Sequence, residues 1–291
     1  MDILTNYTFQ IVALGSVLLA VAAAPVGAFS VYKGQSLIGD AIGHSTFPGI
    51  ILAYMAFATR SPVILLAGAI LAGAASYALI QLAHRDKRLG LDANLAIFLS
   101  GFFGLGMALK SFIQGNPDYA GASQAGLGTY IFGQAAYMLE ADVLLIAAIS
   151  ALVLTLLLLF YKELKLFVFD AEYAEVVGLP CRLLNLLLLV MTIAVIGIGI
   201  KAVGAILISS FLIIPCVAAN QWSNNFARVL LLSSLIGAVS ALVGTYISTL
   251  EQGMSTGPSI ILIASLIAFF SIVFGTKGIL GSVLKRRRTH G

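Results

Sequence analysis

The chain has 291 residues, of which 60% are hydrophobic and only 10% are charged, and its formal net charge is +4. Soluble domains are roughly 25% charged, so this composition excludes a soluble enzyme and favours an all-helical, polytopic membrane protein. Short basic runs between apolar segments are typical of membrane topology signals and argue against a nucleic-acid surface. The two cysteines, Cys181 and Cys216, argue against both a disulfide framework and a thiolate metal site.

A membrane-spanning helix needs roughly 20 mostly apolar residues, and on this basis we predict nine spans. They are 8–32, 37–58, 62–84, 92–112, 141–162, 183–200, 203–221, 227–250 and 257–280. The glycine-rich stretch 115–134 carries turn signals and is predicted to be a re-entrant or interfacial segment. An arrangement of eight or ten spans would move one end of the chain to the other side of the membrane.

The distribution of lysine and arginine predicts an extracytoplasmic N-terminus and a cytoplasmic C-terminus. With this orientation, thirteen of the sixteen basic residues lie on or beside cytoplasmic loops, including the tail at 285–288. Only Arg60, Lys110 and Lys201 lie on the outer side. The sequence contains no nucleotide-binding P-loop motif, so any ATP used must bind to another chain.

The segment GQSLIGDAIGHSTFPGI at 34–50 holds the most distinctive ionisable pair. Asp40 and His44 are four residues apart, so on a helix they share one face. Charged groups inside membranes are costly and therefore suggest function, and a carboxylate with an imidazole suits a divalent transition metal. The surrounding glycines and Pro48 suggest a discontinuous helix. The alternative is that Asp40 caps the helix and His44 is simply packed.

The segment FVFDAEYAEVVGLPCR at 167–182 is polar and lies on the predicted cytoplasmic side. Asp170 is a plausible N-cap, and Gly178 followed by Pro180 should end the helix. The result would be a short helix, near 168–180, bearing Glu172 and Glu175 and suited to docking another protein. The alternative is a solvated loop helix without a partner.

Two later segments offer weaker signals. In VGAILISSFLIIPCVAAN at 203–220, Ser209 and Ser210 can bond their own helix and Pro215 should kink it, so this span could line a pathway or merely pack. In LEQGMSTGPSIIL at 250–262, Glu251 lies at the outer boundary. It is either solvated or faces an extracytoplasmic partner.

These four segments, in this order, resemble the permease subunits of manganese, zinc and iron ABC importers. The matching residues are GQSLIGDAIGHSTFPG, FDAEYAEVVGLP, VGAILISSFLIIPCVAA and STGPSIILIASLIAF. The likeness extends from about residue 30 to 270, and the family is similar in fold to cobalamin and iron-siderophore permeases. One departure is the sequence Ser-Thr-Gly-Pro at 255–258, which has no acid close before it, with Glu251 only a distant candidate.

The resemblance implies a single permease domain of the type II ABC importer kind, without catalytic residues or a bound cofactor. It implies a second permease subunit, two ATPase subunits docked on the 168–180 helix, and an extracytoplasmic metal-binding protein that delivers the cargo. The family's metal-gating Asp and His fall on Asp40 and His44. The resemblance leaves open which metal is carried and whether the dimer is formed by identical chains.

Two other functions remain possible from the residues alone. One is a secondary transporter or channel that needs no ATPase, although such transporters usually bury several coupling carboxylates and these spans offer only Asp40. The other is an intramembrane enzyme, but no second metal motif or nucleophile accompanies the Asp40–His44 pair.

Overall fold

A computed structural model describes residues 6–59, 61–84, 90–116, 119, 138–250 and 254–280. Within these residues the chain consists of helices joined by short turns, which confirms the predicted all-α class. Most of the glycine-rich stretch, the acid Glu251 and the basic tail at 285–288 lie outside the described residues. The predictions made for those segments therefore stay predictions.

The described part contains eleven helices. In chain order they are α1 (Tyr7–Tyr32), α2 (Ile38–Phe57), α3 (Pro62–His84), α4 (Leu91–Gly115), α5 (Glu140–Leu159), α6 (Tyr161–Phe169), α7 (Ala171–Val176), α8 (Cys181–Val203), α9 (Ala205–Asn220), α10 (Phe226–Leu250) and α11 (Thr256–Phe274). Seven of these, namely α1, α3, α4, α5, α8, α10 and α11, are long and apolar enough to cross a membrane. The other two predicted spans correspond to α2, which is rich in polar residues, and to α9, which has 16 residues.

Most helix boundaries lie within three residues of the predicted ones, and two of the differences have a clear structural cause. The fifth predicted span ends at Leu159 instead of residue 162, because the chain turns at Phe160 and starts the unpredicted helix α6. The last span ends at Phe274 instead of 280, where Gly275 forms the C-cap. Between α8 and α9 only Gly204 intervenes, with a φ of 88° that disfavours other residues.

Helix α1 forms the centre of the bundle. It packs against α5, α8, α9 and α10, and its alanine-rich middle is almost fully enclosed. A Cβ atom on Gly27 would lie only 1.9 Å from the carbonyl oxygen of Leu212 on α9. Small residues of this kind allow close helix contact in a bundle whose interior and surroundings are both apolar.

Helix α2 lies between α3, α4 and α9, and a glycine lies at the contact with each of these helices. Gly39 faces Leu212 of α9, and Gly49 faces the carbonyl oxygen of Gly68 on α3, where an added Cβ would lie at 2.2 Å. On α4, Gly106 faces Phe47 of α2. This three-sided packing fixes the position of the helix that carries Asp40 and His44.

Candidate functional site

Asp40 and His44 lie in contact on the first two turns of α2, with 3.4 Å between His44 Nε2 and Asp40 Oδ1. The N-cap of α2 is Leu37, and no side chain caps the helix, so Asp40 does not serve as the cap. Its position in the first turn still places its charge near the positive end of the helix dipole. The two side chains keep 30% and 16% of their surface exposed, respectively, so both remain accessible from outside the chain.

Helices α4 and α9 complete the immediate surroundings of this pair. The ring of Phe103 on α4 meets the His44 ring edge-on, with 5.0 Å between centroids. The Ser209 hydroxyl of α9 is a hydrogen-bonding neighbour of the Asp40 carboxylate. The structure therefore brings Ser209, predicted to line a pathway, together with Asp40 and His44.

The backbone of α2 next to the pair is held by buried hydroxyl groups. Ser45 donates to the carbonyl oxygen of Ala41 at 2.6 Å and lies 2.7 Å from the Ser76 hydroxyl oxygen on α3. Thr46 donates to the carbonyl oxygen of Gly43 at 2.6 Å. Buried hydroxyl groups satisfied in this way keep polar atoms out of contact with apolar surroundings. They also fix the face on which Asp40 and His44 lie.

The pair supplies one carboxylate and one imidazole, which together accept Mn²⁺, Fe²⁺ and Zn²⁺. The described part of the chain contains no group of three or more His, Cys, Asp and Glu side chains that could hold a metal. Cys216 is buried and Cys181 is half-buried, and both are free thiols. Within the described residues, the pair therefore provides two possible metal ligands, fewer than the four that a closed structural zinc site uses.

The other two residues predicted on this span, Ser210 and Pro215, also lie on α9. Ser210 is half-buried, and Pro215 is buried within a helix that continues through it to Asn220. Their predicted pathway-lining role stays a prediction.

The docking helix predicted near 168–180 is present as the shorter α7, because residues 168 and 169 end α6 and Gly178 stops α7. Its two capping residues are those that the sequence indicates. The Asp170 side chain accepts a hydrogen bond from the backbone N–H of Tyr173 at 2.9 Å, which confirms the predicted N-cap. At the other end Gly178 has a φ of 85°, and the backbone N–H of Leu179 donates to the carbonyl oxygen of Ala174 at 3.0 Å. This is the glycine-terminated Schellman arrangement.

The solvent-exposed surface of α7 combines acidic and apolar side chains. Asp170, Glu172 and Glu175 are all exposed, and Val176 is 83% exposed, although it is apolar. Tyr173 and Val177, both 55% exposed, lie beside Val176, and a contiguous exposed apolar patch next to acids favours a protein-binding surface. The predicted coupling residues therefore lie together on one exposed element.

An aromatic cluster, formed by Phe29, Tyr32, Tyr161, Phe169 and Phe226, joins this element to the bundle. The Phe226 ring lies 4.9 Å from the Phe29 ring, 5.0 Å from the Tyr32 ring and 5.2 Å from the Phe169 ring, each edge-on. The cluster links the ends of α1 and α6 to the start of α10. The sequence analysis missed this cluster, because its members are widely separated along the chain.

Lys33 connects the same region to the segment that leads into α2. Its Nζ lies 4.9 Å from the centroid of the Phe167 ring of α6, and it donates to Asn185 Oδ1 of α8. Asn185 in turn donates to the Tyr77 hydroxyl of α3 at 2.8 Å. Burial lowers the pKa of Lys33 to about 8. Lys33 therefore connects α6, which leads into α7, with the linker before Asp40.

Comparison with known proteins gives a consistent result. The sequence profile described as the ABC 3 transport family matches residues 5–275. The chain is 39% identical over 289 residues to the zinc transport system membrane protein TroC of Treponema pallidum (strain Nichols), covering 99% of this chain and 96% of that protein. It is also 39% identical over 285 residues to the manganese transport system membrane protein MntC of Bacillus subtilis (strain 168), covering 96% of this chain and 65% of that protein.

A solved structure shows the same fold. The chain superimposes on a chain of PsaBC from Streptococcus pneumoniae, solved in complex with Fab, with a TM-score of 0.81. The sequence identity is 27%, and the match covers 94% of each chain. The sequence-based resemblance to metal-transport permeases is confirmed.

Proposed function

Because the chain belongs to the ABC 3 transport family, we propose that it is the membrane permease subunit of an ATP-driven importer of divalent transition-metal ions. The observation that carries the metal assignment is the Asp40–His44 pair on α2, held by three neighbouring helices and accessible at its surface. The names of the zinc and manganese relatives agree with it. The ion is cargo, and the chain itself needs no resident cofactor.

The metal pathway is proposed to lie between two permease subunits. A charge that faces hydrocarbon costs several kcal/mol, so the exposed part of Asp40 should face water, protein or a cation. A second permease subunit that presents the same pair would raise the number of ligands from two to four. Water molecules fill the remaining positions, and such binding stays weak enough for the ion to leave.

The energy source is proposed to be a pair of ATPase subunits that bind α7 from the cytoplasm. The acids of α7 and its exposed Val176 form the contact surface. A movement of α7 would be transmitted to α1 and α10 through the contacts of the aromatic cluster. It would reach the linker before α2 through Lys33 and Phe167. This route supports ATP-driven opening of the Asp40–His44 pathway.

The orientation follows from the charge distribution. We propose that the chain lies in the cytoplasmic membrane with its N-terminus outside and its C-terminus in the cytoplasm. The outer surface would then receive metal from a solute-binding protein. The cytoplasmic surface would carry α7, which is where an ATPase must bind.

Uptake into proteoliposomes tests the assignment. The permease, reconstituted with the ATPase subunit that co-purifies with it and with a metal-loaded solute-binding protein, should accumulate Mn²⁺ or Zn²⁺ only when ATP is supplied. An ATPase whose P-loop lysine is replaced serves as the control and should abolish uptake. Uptake that survives without ATP and collapses when a proton gradient is removed would instead identify a secondary transporter.

A further inference from the structure

Helix α4 is the least enclosed of the seven apolar spans in the described part of the chain. Only 11% of its most apolar stretch is buried, compared with 72% for α1. The surface left open by the other outer helices is formed by large apolar side chains suited to lipid, such as Leu144 and Leu158 on α5 and Leu262 on α11. One side of α4 differs from these surfaces, because its exposed side chains include polar ones.

That side carries a polar stripe. Ser100, Met107, Ser111 and Gln114 are all exposed, and they recur with Phe103 at intervals of three and four residues, so they share one face of the helix. The half-buried Lys110 lies at the edge of this face, three residues after Met107 and four before Gln114. The opposite edge of the exposed surface carries Leu105 and Phe112, which are 49% and 55% exposed. Hydroxyl and amide groups gain nothing from facing hydrocarbon, so the polar edge should face protein or water.

The stripe passes beside the Asp40–His44 pair. Phe103, within the stripe, makes the edge-on contact with the His44 ring. One turn further along, Gly106 of α4 faces Phe47 of α2. The two helices therefore run side by side in the same direction. The stripe starts at Ser100, one turn before Phe103, and extends past the level of His44 toward the C-terminal end of α4, which is the predicted outer side.

Resting on the function proposed above, we propose that the polar stripe of α4 lines the metal pathway from one turn inside the level of His44 to the predicted outer side. The Met107 thioether and the Ser100 and Ser111 hydroxyls would contact the passing ion. These are neutral, weak ligands, and a series of weak contacts lets an ion move on after each one. A thioether is also a soft ligand that favours zinc over manganese. The second permease subunit closes the opposite wall.

Cysteine labelling of the assembled transporter tests this assignment. In a C181S/C216A background, single cysteines replace Ser100, Met107 or Ser111, and the matched controls replace Leu105 or Phe112 on the other edge. A hydrophilic thiosulfonate should modify the stripe cysteines, and Mn²⁺ should slow that reaction several-fold. The control cysteines should react slowly and independently of Mn²⁺. Labelling confined to positions 105 and 112, or equal labelling on both edges without Mn²⁺ protection, would overturn the proposal.

A second measurement separates this inference from the proposed function. Met107→Leu keeps the side-chain volume and should lower Zn²⁺ uptake several-fold while affecting Mn²⁺ uptake less, and Leu105→Met should change neither. If wild-type uptake is ATP-dependent but the Met107→Leu variant matches wild type with both ions, the stripe assignment fails and the permease function stands. If wild-type protein moves no metal at all, the proposed function fails, whereas thiosulfonate labelling still reports whether the stripe faces water.

Discussion

Replacing Phe226 by leucine should weaken the junction between the coupling element and the bundle. The substitution keeps an apolar side chain but removes the ring contacts with Phe29, Tyr32 and Phe169 at 4.9–5.2 Å. Aromatic pairs at such distances contribute about 0.5–1.5 kcal/mol each beyond their buried area. If the three contributions add, we expect a combined loss of about 1.5–4.5 kcal/mol in the free energy of unfolding, and coupling through the shared ring can change this sum.

The assay is unfolding by titration with sodium dodecyl sulfate in mixed micelles, together with the number of metal ions transported per ATP hydrolysed. Phe269→Leu is the matched control, because the Phe269 ring on α11 is 68% exposed. The Phe226 variant should unfold earlier and transport fewer ions per ATP, since α6 and α7 lose their anchor on α10. If the two variants are equally stable and equally coupled, the proposed role of the aromatic cluster is wrong.

Three further predictions address helix packing, ATPase docking and orientation. Gly49→Ala places a Cβ atom 2.2 Å from the Gly68 carbonyl oxygen, so the variant should unfold at a lower temperature. In the control variant, Gly101→Ala, the added Cβ atom meets nothing within 4 Å, so its unfolding temperature should not change. Equal unfolding temperatures for the two variants would contradict the packing of α2 on α3. Glu172→Lys combined with Glu175→Lys should abolish ATPase pull-down while membrane insertion remains normal, and a normal pull-down with normal uptake would refute the docking assignment. A cysteine placed in the tail at 285–288 should react with an impermeant maleimide only after the cells are opened, and labelling of intact cells would reverse the proposed topology.

The sequence predicted the spans well, because each apolar stretch ends at a charge or a helix-breaking residue. The cap at Asp170 and the stop at Gly178 were predictable for a similar reason, since both act through the backbone of their own segment. The Asp40–His44 contact also depends only on helical spacing.

Features that depend on long-range packing could not be predicted in this way. The contact between Phe103 and His44 joins residues 59 positions apart, and the aromatic cluster joins three helices from distant parts of the chain. The sequence suggested that Ser209 could line a pathway, but it did not indicate that Ser209 lies beside Asp40. Helix α6 was missed because it follows α5 after a single residue, Phe160, and its nine residues were read as the end of a span and a loop.

The central claim is that Asp40 and His44 contact the transported metal. The most direct measurement is ATP-driven uptake of radioactive Mn²⁺ by Asp40→Asn and His44→Ala transporters, with Asp92→Asn and His84→Ala as controls at exposed positions. Losing a hydrogen bond or ligand to a charged group costs about 1.5–3 kcal/mol, so each pathway variant should lose roughly tenfold or more in uptake. The controls should transport normally. Near-normal uptake by both pathway variants, in fully assembled transporters, would contradict the account.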